Sequence, residues 1–162
     1  MTMQTTDLTV RKTVTVSAPR EHAFRVWTER FNDWWPSGHH IGEADMERAV
    51  IEWREGGRLY ERGVDGSECD WGRVLVYEPP SRIVCSWQIG GDWKFDPDPE
   101  HGSEYEVRFI EQDENTTLVE FEHRNLERHG AESAQKLYGA FSNEAGGWSG
   151  ILEGFAKVAS ES

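Results

Sequence analysis

Basic residues, cysteines and long hydrophobic runs are scarce in this 162-residue sequence. The 17 Lys and Arg stand against 30 Asp and Glu, which leaves a net charge of −13 at pH 7. A surface this acidic repels the phosphates of nucleic acids and of anionic membranes, so we expect neither as a partner. No apolar run approaches the ~20 residues that a transmembrane helix needs, which excludes such a helix.

The sequence also lacks the residue patterns that are typical of metal sites and of covalent catalysis. The two cysteines, Cys69 and Cys85, fit no metal-ligand spacing and no disulfide framework. His39, His40 and Glu43 form an incomplete ligand set, because two adjacent histidines do not readily face one ion. The motifs of serine nucleophiles, phosphate loops and zinc proteases are missing. We therefore expect no metal, no cofactor and no clear catalytic machinery.

The first residues, Met1–Val10, are polar and lack the basic-then-apolar pattern of a secretory signal. Both thiols are then expected to stay reduced, and the sequence predicts a cytoplasmic protein. The length suits a single domain over residues 1–162, large enough to bury about 70% of its unfolded surface.

Aromatic residues are abundant instead. The chain has eight Trp, seven Phe and four Tyr, and each of these side chains has a large area to bury. So many indoles in one small domain indicate either a heavily aromatic core or a cavity with aromatic walls.

Hydrophobic periodicity predicts the order of the secondary structure. Alternation predicts a strand at Leu8–Val16 and six more after residue 42. A period near 3.6 predicts helices at Pro19–Glu29, Ala131–Phe141 and from Trp148 onward. Pro36 and Gly38 break the stretch between residues 31 and 42 into a turn or short helix. The later strands are expected at Glu43–Trp53, Gly57–Gly63, Cys69–Glu78, Arg82–Ile89, Glu104–Glu111 and Thr116–Arg124.

The last two strands alternate most cleanly. Tyr105 and Phe109 share one parity, whereas Glu104 and Glu106 take the other, which is typical of an antiparallel sheet with one wet face. We predict an α+β fold in which a curved seven-stranded antiparallel sheet wraps a long C-terminal helix, with short helices near the N-terminus. The curved sheet is wider than the helix stripe, so a gap suited to a small apolar ligand is expected between them.

Five segments of the chain resemble a known family. They are VSAPREHAFRVWTERFNDWW (Val16–Trp35), GGRLYER (Gly56–Arg62), WGRVLVYEPPSRIVCSW (Trp71–Trp87), TLVEFEHRNLERHG (Thr117–Gly130) and GGWSGILEGFAKV (Gly146–Val158). With this element order, the chain resembles the helix-grip fold of the START-like, or SRPBCC, superfamily. Within it, the chain is most similar to the branch of activator of heat-shock protein 90 ATPase homologues. The resemblance implies an apolar cavity for lipids, polyketides or other hydrophobic molecules.

The walls of the expected cavity are assigned to aromatic and apolar residues of the strands and the last helix. The predicted ligand-binding residues are Trp35, Trp53, Tyr60, Trp87, Tyr105, Phe109, Phe121, His123, Trp148, Leu152 and Phe155. Their indole N–H and phenol O–H groups are expected to orient the ligand, because buried Trp and Tyr seek polar partners. Packing into the core is the alternative at each of these positions.

Two further features allow two interpretations each. The adjacent Trp34 and Trp35 cannot point the same way, so one of them is expected near the cavity mouth as a gate or a plug. His123 lies on the apolar face of the last strand and is the one candidate for general acid–base catalysis, with a structural role as the alternative.

Four charged residues of the central hairpins are expected on the solvent face. Glu61, Arg62, Arg73 and Arg82 are predicted to form ion pairs across strands rather than to hold a ligand carboxylate.

Three functions remain open on the sequence. The first is binding of a small hydrophobic molecule without catalysis, and the second is a cyclase or hydratase acting on a bound hydrophobic substrate. The third is a co-chaperone-like module with a chaperone partner, which needs an exposed apolar patch. Either a monomer or a homodimer is compatible with the pattern.

Overall fold

The computed structural model describes residues 8–143 and 147–162. Most of the polar segment Met1–Val10, in which the sequence shows no secretory-signal pattern, therefore lies outside the described residues. The elements are β1 Val10–Val16, α1 Arg20–Glu29, α2 Phe31–Trp34, β2 Met46–Ile51, β3 Arg58–Gly63, β4 Glu68–Glu78, β5 Arg82–Trp87, β6 Ser103–Asp113, β7 Thr116–Arg124, α3 Ala131–Ser142 and α4 Trp148–Glu161. Two short 3₁₀ turns, Pro99–His101 and Leu126–His129, flank the last hairpin. The predicted α+β class and the order of its elements are confirmed.

All seven strands belong to one antiparallel sheet in the order β1-β7-β6-β5-β4-β3-β2. Register shifts in β2–β3, β3–β4, β4–β5 and β6–β7 bend the sheet, because an extra residue on one strand increases its local twist. The sheet curls into a half-barrel around α4, which is the helix-grip architecture predicted from the sequence.

The concave face of the sheet carries the alternating apolar residues. In β6 and β7, the inward pairs Tyr105–His123, Val107–Phe121 and Phe109–Val119 lie directly opposite one another, and every member is buried. Helix α4 covers this face with an apolar stripe of period near 3.6. The buried residues of α4 are Trp148, Ile151, Leu152, Phe155, Ala156 and Ala159. No helix among the described residues is long and apolar enough to cross a membrane.

Four strands are shorter than the sequence predicted: β1 and β3 lose only one or two residues at their starts, whereas β2 and β5 differ for clear structural reasons. The expected strand Glu43–Trp53 is reduced to Met46–Ile51, because residues 42–44 bend and Glu52 begins a turn that closes with an Arg54 N–H to Glu52 carbonyl bond of 2.8 Å. The expected Arg82–Ile89 strand ends at Trp87, after which Ile89 makes only an isolated bridge to Phe95.

The convex face is polar, but one of its carboxylates is buried. Glu106 is only 5% exposed, because three guanidinium groups cover it. Its Oε2 accepts from Arg82 Nε at 2.6 Å and Arg108 Nε at 2.9 Å, and its Oε1 accepts from Arg124 at 2.6 Å. Burial alone would raise the pKa of Glu106. The neighbouring guanidinium groups of Arg124 and Arg82 outweigh burial and lower that pKa from 4.5 to about 2.

This lowered pKa predicts an acid-dependent stability. A carboxylate whose pKa is lower in the folded than in the unfolded state stabilises the fold above the unfolded value, and this stability disappears as the pH falls through 4.5 toward 2. Glu106→Gln is expected to lower the free energy of unfolding by about 1–3 kcal/mol near neutral pH. The variant should also show a smaller change of unfolding free energy between pH 4.5 and 2. Urea denaturation at a series of pH values measures both effects.

The matched control is Glu111→Gln, which changes an exposed glutamate of the same strand. It should leave both the stability and its pH dependence nearly unchanged. An equal effect of the two variants would show that the arginines do not act on Glu106 as described.

Candidate functional site

A cavity of about 290 Å³ opens where three separate parts of the chain meet. They are the loop that follows α2, the beginning of β4 with the end of β5 and the loop after it, and the junction of α3 with α4. Six of its lining residues are aromatic: Trp35, Trp71, Trp87, Trp93, Phe141 and Trp148. The others are Gly38, His39, His40, Ile41, Ile89, Ala140, Gly147 and Ile151. The cavity thus lies at the N-terminal end of α4, not along its whole length.

Trp34, the last residue of α2, and Trp35, which follows it, point to different places. Trp34 is buried, lies 4.4 Å from the ring of Trp27, and donates its indole N–H to the Val26 carbonyl at 3.1 Å. Trp35 stacks on Phe31 and turns its ring toward the cavity. The prediction that the two rings point in different directions is confirmed.

Four of the five tryptophans on the cavity wall donate their indole N–H to an acceptor in the protein. Trp35 donates to the His39 carbonyl at 3.1 Å, Trp87 to the Ile89 carbonyl at 2.8 Å, and Trp148 to His123 Nδ1 at 3.1 Å. The indole of Trp71 donates to Glu61 Oε1 at 2.9 Å. These rings therefore present apolar faces to the cavity, and the expectation that their N–H groups orient a ligand is wrong.

Three of the predicted ligand-binding residues, Trp35, Trp87 and Trp148, lie on the cavity wall. The structure places the other eight outside the wall: Trp53, Tyr60, Tyr105, Phe109, Phe121, His123, Leu152 and Phe155. Most of these eight form the closely packed core. The Phe109 and Phe155 rings, for example, make edge contacts with Trp27 at 6.1 and 5.0 Å between ring centres.

Tyr60 and Glu61 exchange the faces that the sequence predicted for them. Tyr60 is half-buried, with the Arg58 guanidinium 4.0 Å above its ring. Glu61 is 1% exposed and points inward, so its predicted ion pair on the solvent face is wrong. On the outer face of the sheet, the cation–π contact with Arg58 covers the Tyr60 ring. On the inner face, N–H donors bond the carboxylate of Glu61 and so offset its burial.

Glu61 connects the sheet to the loop at the cavity mouth. Its Oε1 accepts from Ile41 N at 2.6 Å, and its Oε2 accepts from Gly42 N at 3.1 Å. A Cβ at Gly42 would lie 2.9 Å from that oxygen, so glycine permits the close approach. Nδ1 of His40 lies 3.3 Å from Oε2. The carboxylate therefore fixes both the loop and the Trp71 ring.

His123 belongs to a buried chain of hydrogen bonds behind the cavity. Its Nδ1 accepts the Trp148 indole N–H, so the neutral ring carries its proton on Nε2 and donates it to Ser103 Oγ at 2.7 Å. The Ser103 hydroxyl lies 2.9 Å from His129 Nε2 and completes the chain. Burial lowers the pKa of His123 well below its usual range, which keeps the ring neutral. Both ring nitrogens are bonded to protein groups, which favours the structural role of His123 over catalysis.

Two other titratable side chains, Cys85 and His39, have pKa values that burial shifts. Burial raises the pKa of the Cys85 thiol to about 12, so this cysteine is inert as a nucleophile. His39 is exposed on one side, and partial burial against the cavity wall lowers its pKa. No group of three metal-ligating side chains comes together within residues 8–143 and 147–162.

Trp93 is the wall residue that was least expected from the sequence. It lies in a polar loop, has a left-handed backbone with φ of 60°, and leaves 48% of its surface exposed. A bulky side chain at positive φ is uncommon, and this conformation places its ring at the edge of the cavity. Trp71 and the two histidines were likewise missed, although the Trp71-Gly72 pair belongs to a segment that carries the family resemblance.

Comparison with known proteins agrees with this architecture. The curled seven-stranded sheet around a long C-terminal helix is a helix-grip fold. The family model described as "Activator of Hsp90 ATPase homolog 1-like protein" matches residues 17–160, and the chain belongs to this family. This confirms the resemblance inferred from the sequence. No curated protein sequence matches the chain.

Several solved structures are similar over nearly the whole chain. Txn09, described as an anthrahydroquino-gamma-pyrone synthase complexed with SUM, is 38% identical, with 93% of this chain and 96% of Txn09 covered and a TM-score of 0.65. CalC from Micromonospora echinospora, described as a self-sacrificing resistance protein, is 31% identical, with 96% of each chain covered and a TM-score of 0.69. NE0264 from Nitrosomonas europaea, at 11% identity, 98% and 97% coverage and a TM-score of 0.66, supports the fold alone.

The buried bond between Trp148 and His123 predicts a stability effect. Trp148→Phe keeps an aromatic ring but leaves Nδ1 of His123 without a donor, which is expected to cost about 1–3 kcal/mol of unfolding free energy. Trp35→Phe is the matched control, because its lost bond is at the exposed rim and should cost less. Denaturant unfolding of both variants measures the difference, and equal losses would contradict the described role of His123.

Proposed function

We propose that this protein binds a small, planar, hydrophobic molecule in the cavity at the N-terminal end of α4. The observation that carries the proposal is the concentration of five of the eight tryptophans on one cavity wall. In an ordinary core such rings would fill the space between sheet and helix. Here their faces border a space of about 290 Å³, at the lower end of the ~300–1,000 Å³ typical of small-molecule sites.

The polarity of the wall restricts the class of ligand. Four of the five indoles donate their N–H groups to protein acceptors, so the surface they offer is mainly ring faces. Flat aromatic ligands make offset or edge contacts with such faces. The net charge of −13 disfavours an anionic ligand. A neutral compound of two or three fused rings fits these conditions.

The relatives support this proposal and suggest a second candidate. Txn09 is described as a synthase of a pyrone-containing aromatic compound, which agrees with an aromatic ligand for this chain. The same description favours an enzyme of the cyclase kind over a binding protein without catalysis. A co-chaperone role has less support, because Val64, Leu75 and Trp93 are the only large hydrophobic side chains exposed within the described residues.

Other expectations about the protein in the cell remain predictions. We infer that it is cytoplasmic, that it binds neither nucleic acid nor membranes, and that it acts as a monomer or a homodimer. The acidic composition supports the second of these inferences.

Filling the cavity tests the proposal. Ala140 of α3 lines it, and Ala140→Leu adds a branched side chain to the space that a ligand needs. With 2-naphthol as the probe and quenching of tryptophan fluorescence as the signal, we expect the wild type to bind saturably. The variant should bind about tenfold more weakly or worse, a loss of about 1.4 kcal/mol.

Ala131→Leu is the matched control, since it makes the same change at an exposed position of the same helix. It should bind the probe like the wild type. Equal binding by Ala140→Leu and the wild type would place the probe elsewhere and refute the proposal.

A further inference from the structure

The cavity has one corner that differs from its aromatic walls. His39 and His40 are the only imidazole side chains among its described lining residues. Both lie in the loop after α2, opposite the first turn of α4. The ring of His39 lies at the rim, in an edge contact with Trp35 at 6.1 Å, whereas the side chain of His40 is only 21% exposed.

His40 is held against a buried carboxylate. Its Nδ1 is buried and lies 3.3 Å from Oε2 of Glu61, in a close charge contact that is not aligned as a hydrogen bond, and this nitrogen has no hydrogen-bond partner within the described residues. The three other groups that approach the carboxylate are all N–H donors: two backbone amides and the Trp71 indole. An N–H group can only donate, so Glu61 acts as an acceptor through both oxygens, as an ionised carboxylate does. A negative charge 3.3 Å from Nδ1 attracts a proton there, which favours the tautomer of His40 that carries its proton on Nδ1.

The tautomer leaves the second ring nitrogen available as a base. Nε2 of His40 has no hydrogen-bond partner within the described part of the chain. His123, in contrast, uses both nitrogens within the protein. An imidazole with one unbonded nitrogen, and with a carboxylate beside its other nitrogen to stabilise the protonated ring, is suited to accept a proton.

We propose that His40, positioned by Glu61, is a general base that removes a carbon-bound proton from an aromatic substrate in the cavity. The inference rests on the proposed function, because the aromatic walls must first hold the ring. The substrate class is a planar aromatic compound with a C–H bond acidified by a neighbouring carbonyl or similar group. The bond to hydrogen breaks, Nε2 takes the proton, and the electron pair stays on the substrate as an enolate. Glu61 keeps its charge and stabilises the imidazolium, which returns its proton to the product or to water.

A generic carbon acid tests this activity without knowledge of the natural substrate. In 5-nitrobenzisoxazole, a base removes the hydrogen at C3 as the C≡N bond forms and the N–O bond breaks. The coloured 2-cyano-4-nitrophenolate leaves, so its absorbance reports the proton transfer. The inert analogue 6-nitrobenzotriazole, followed by quenching of tryptophan fluorescence, reports binding alone.

Four variants assign the base. His40→Gln and His40→Ala are expected to lower kcat at least about tenfold, in line with the ~10²–10⁴ that general bases contribute. Both should keep analogue binding within about threefold. His101→Ala removes one exposed imidazole outside the cavity and should match the wild type. His39→Ala tests the neighbouring ring, and it should keep turnover above that of the His40 variants.

Glu61→Gln tests the positioning role. Loss of the carboxylate charge should lower kcat with little change in KM, whereas loosening of the loop alone would raise KM and weaken analogue binding. The midpoint of urea unfolding checks that the variant is folded, and the His40 variants carry the test if it is not.

The outcomes separate the two proposals. Analogue binding with turnover that does not depend on His40, or that depends on His39 instead, overturns the inference and leaves the binding function intact. Absence of analogue binding to the wild type counts against the proposed function, and the inference falls with it.

Discussion

Most of the indoles bond their N–H donor to the protein, and this constraint organises the interior, with the buried Nε1 of Trp27 as the exception within the described residues. Six of the eight tryptophans donate that hydrogen to a protein acceptor. An unsatisfied buried donor costs about 1–3 kcal/mol, so these bonds determine how each ring can turn. At the N-terminal end of α4, protein groups accept the N–H of Trp35, Trp71, Trp87 and Trp148, so these donors are not free to bond a ligand. The apolar character of the site follows from where the polar atoms have their partners.

Glu61 extends the same principle to the cavity mouth. A buried carboxylate is unfavourable unless several donors surround it, and here the donors come from the sheet and from the loop after α2. Trp71 and the backbone of Ile41 and Gly42 therefore share one anchor. The loop that carries His39 and His40 is fixed to the sheet even though it has no regular structure of its own. The cavity gains a polar corner beside its aromatic walls.

The sequence was sufficient for the fold and insufficient for most of the site. Alternation in β6 and β7 predicted the concave face correctly, because inward pairs such as Tyr105–His123 follow a strict period of two. Tyr60 and Glu61 were assigned to the wrong faces of the sheet, because a polar side chain is normally expected to be exposed. The N–H donors that allow Glu61 to be buried come from a distant loop, which the sequence of the strand does not reveal. Residues such as Ala140 and Trp93 line the cavity only because three separate segments meet there. No local pattern contains that information.

The central claim is that the cavity walls, and not the packed core, hold an aromatic ligand. The eight indole N–H resonances in an NMR titration with 2-naphthol test this claim directly. The account predicts shifts for the five tryptophans of the wall, Trp35, Trp71, Trp87, Trp93 and Trp148. Trp27, Trp34 and Trp53 should remain near their starting positions. Shifts confined to these three, or no shift at all under saturating ligand, would contradict the account.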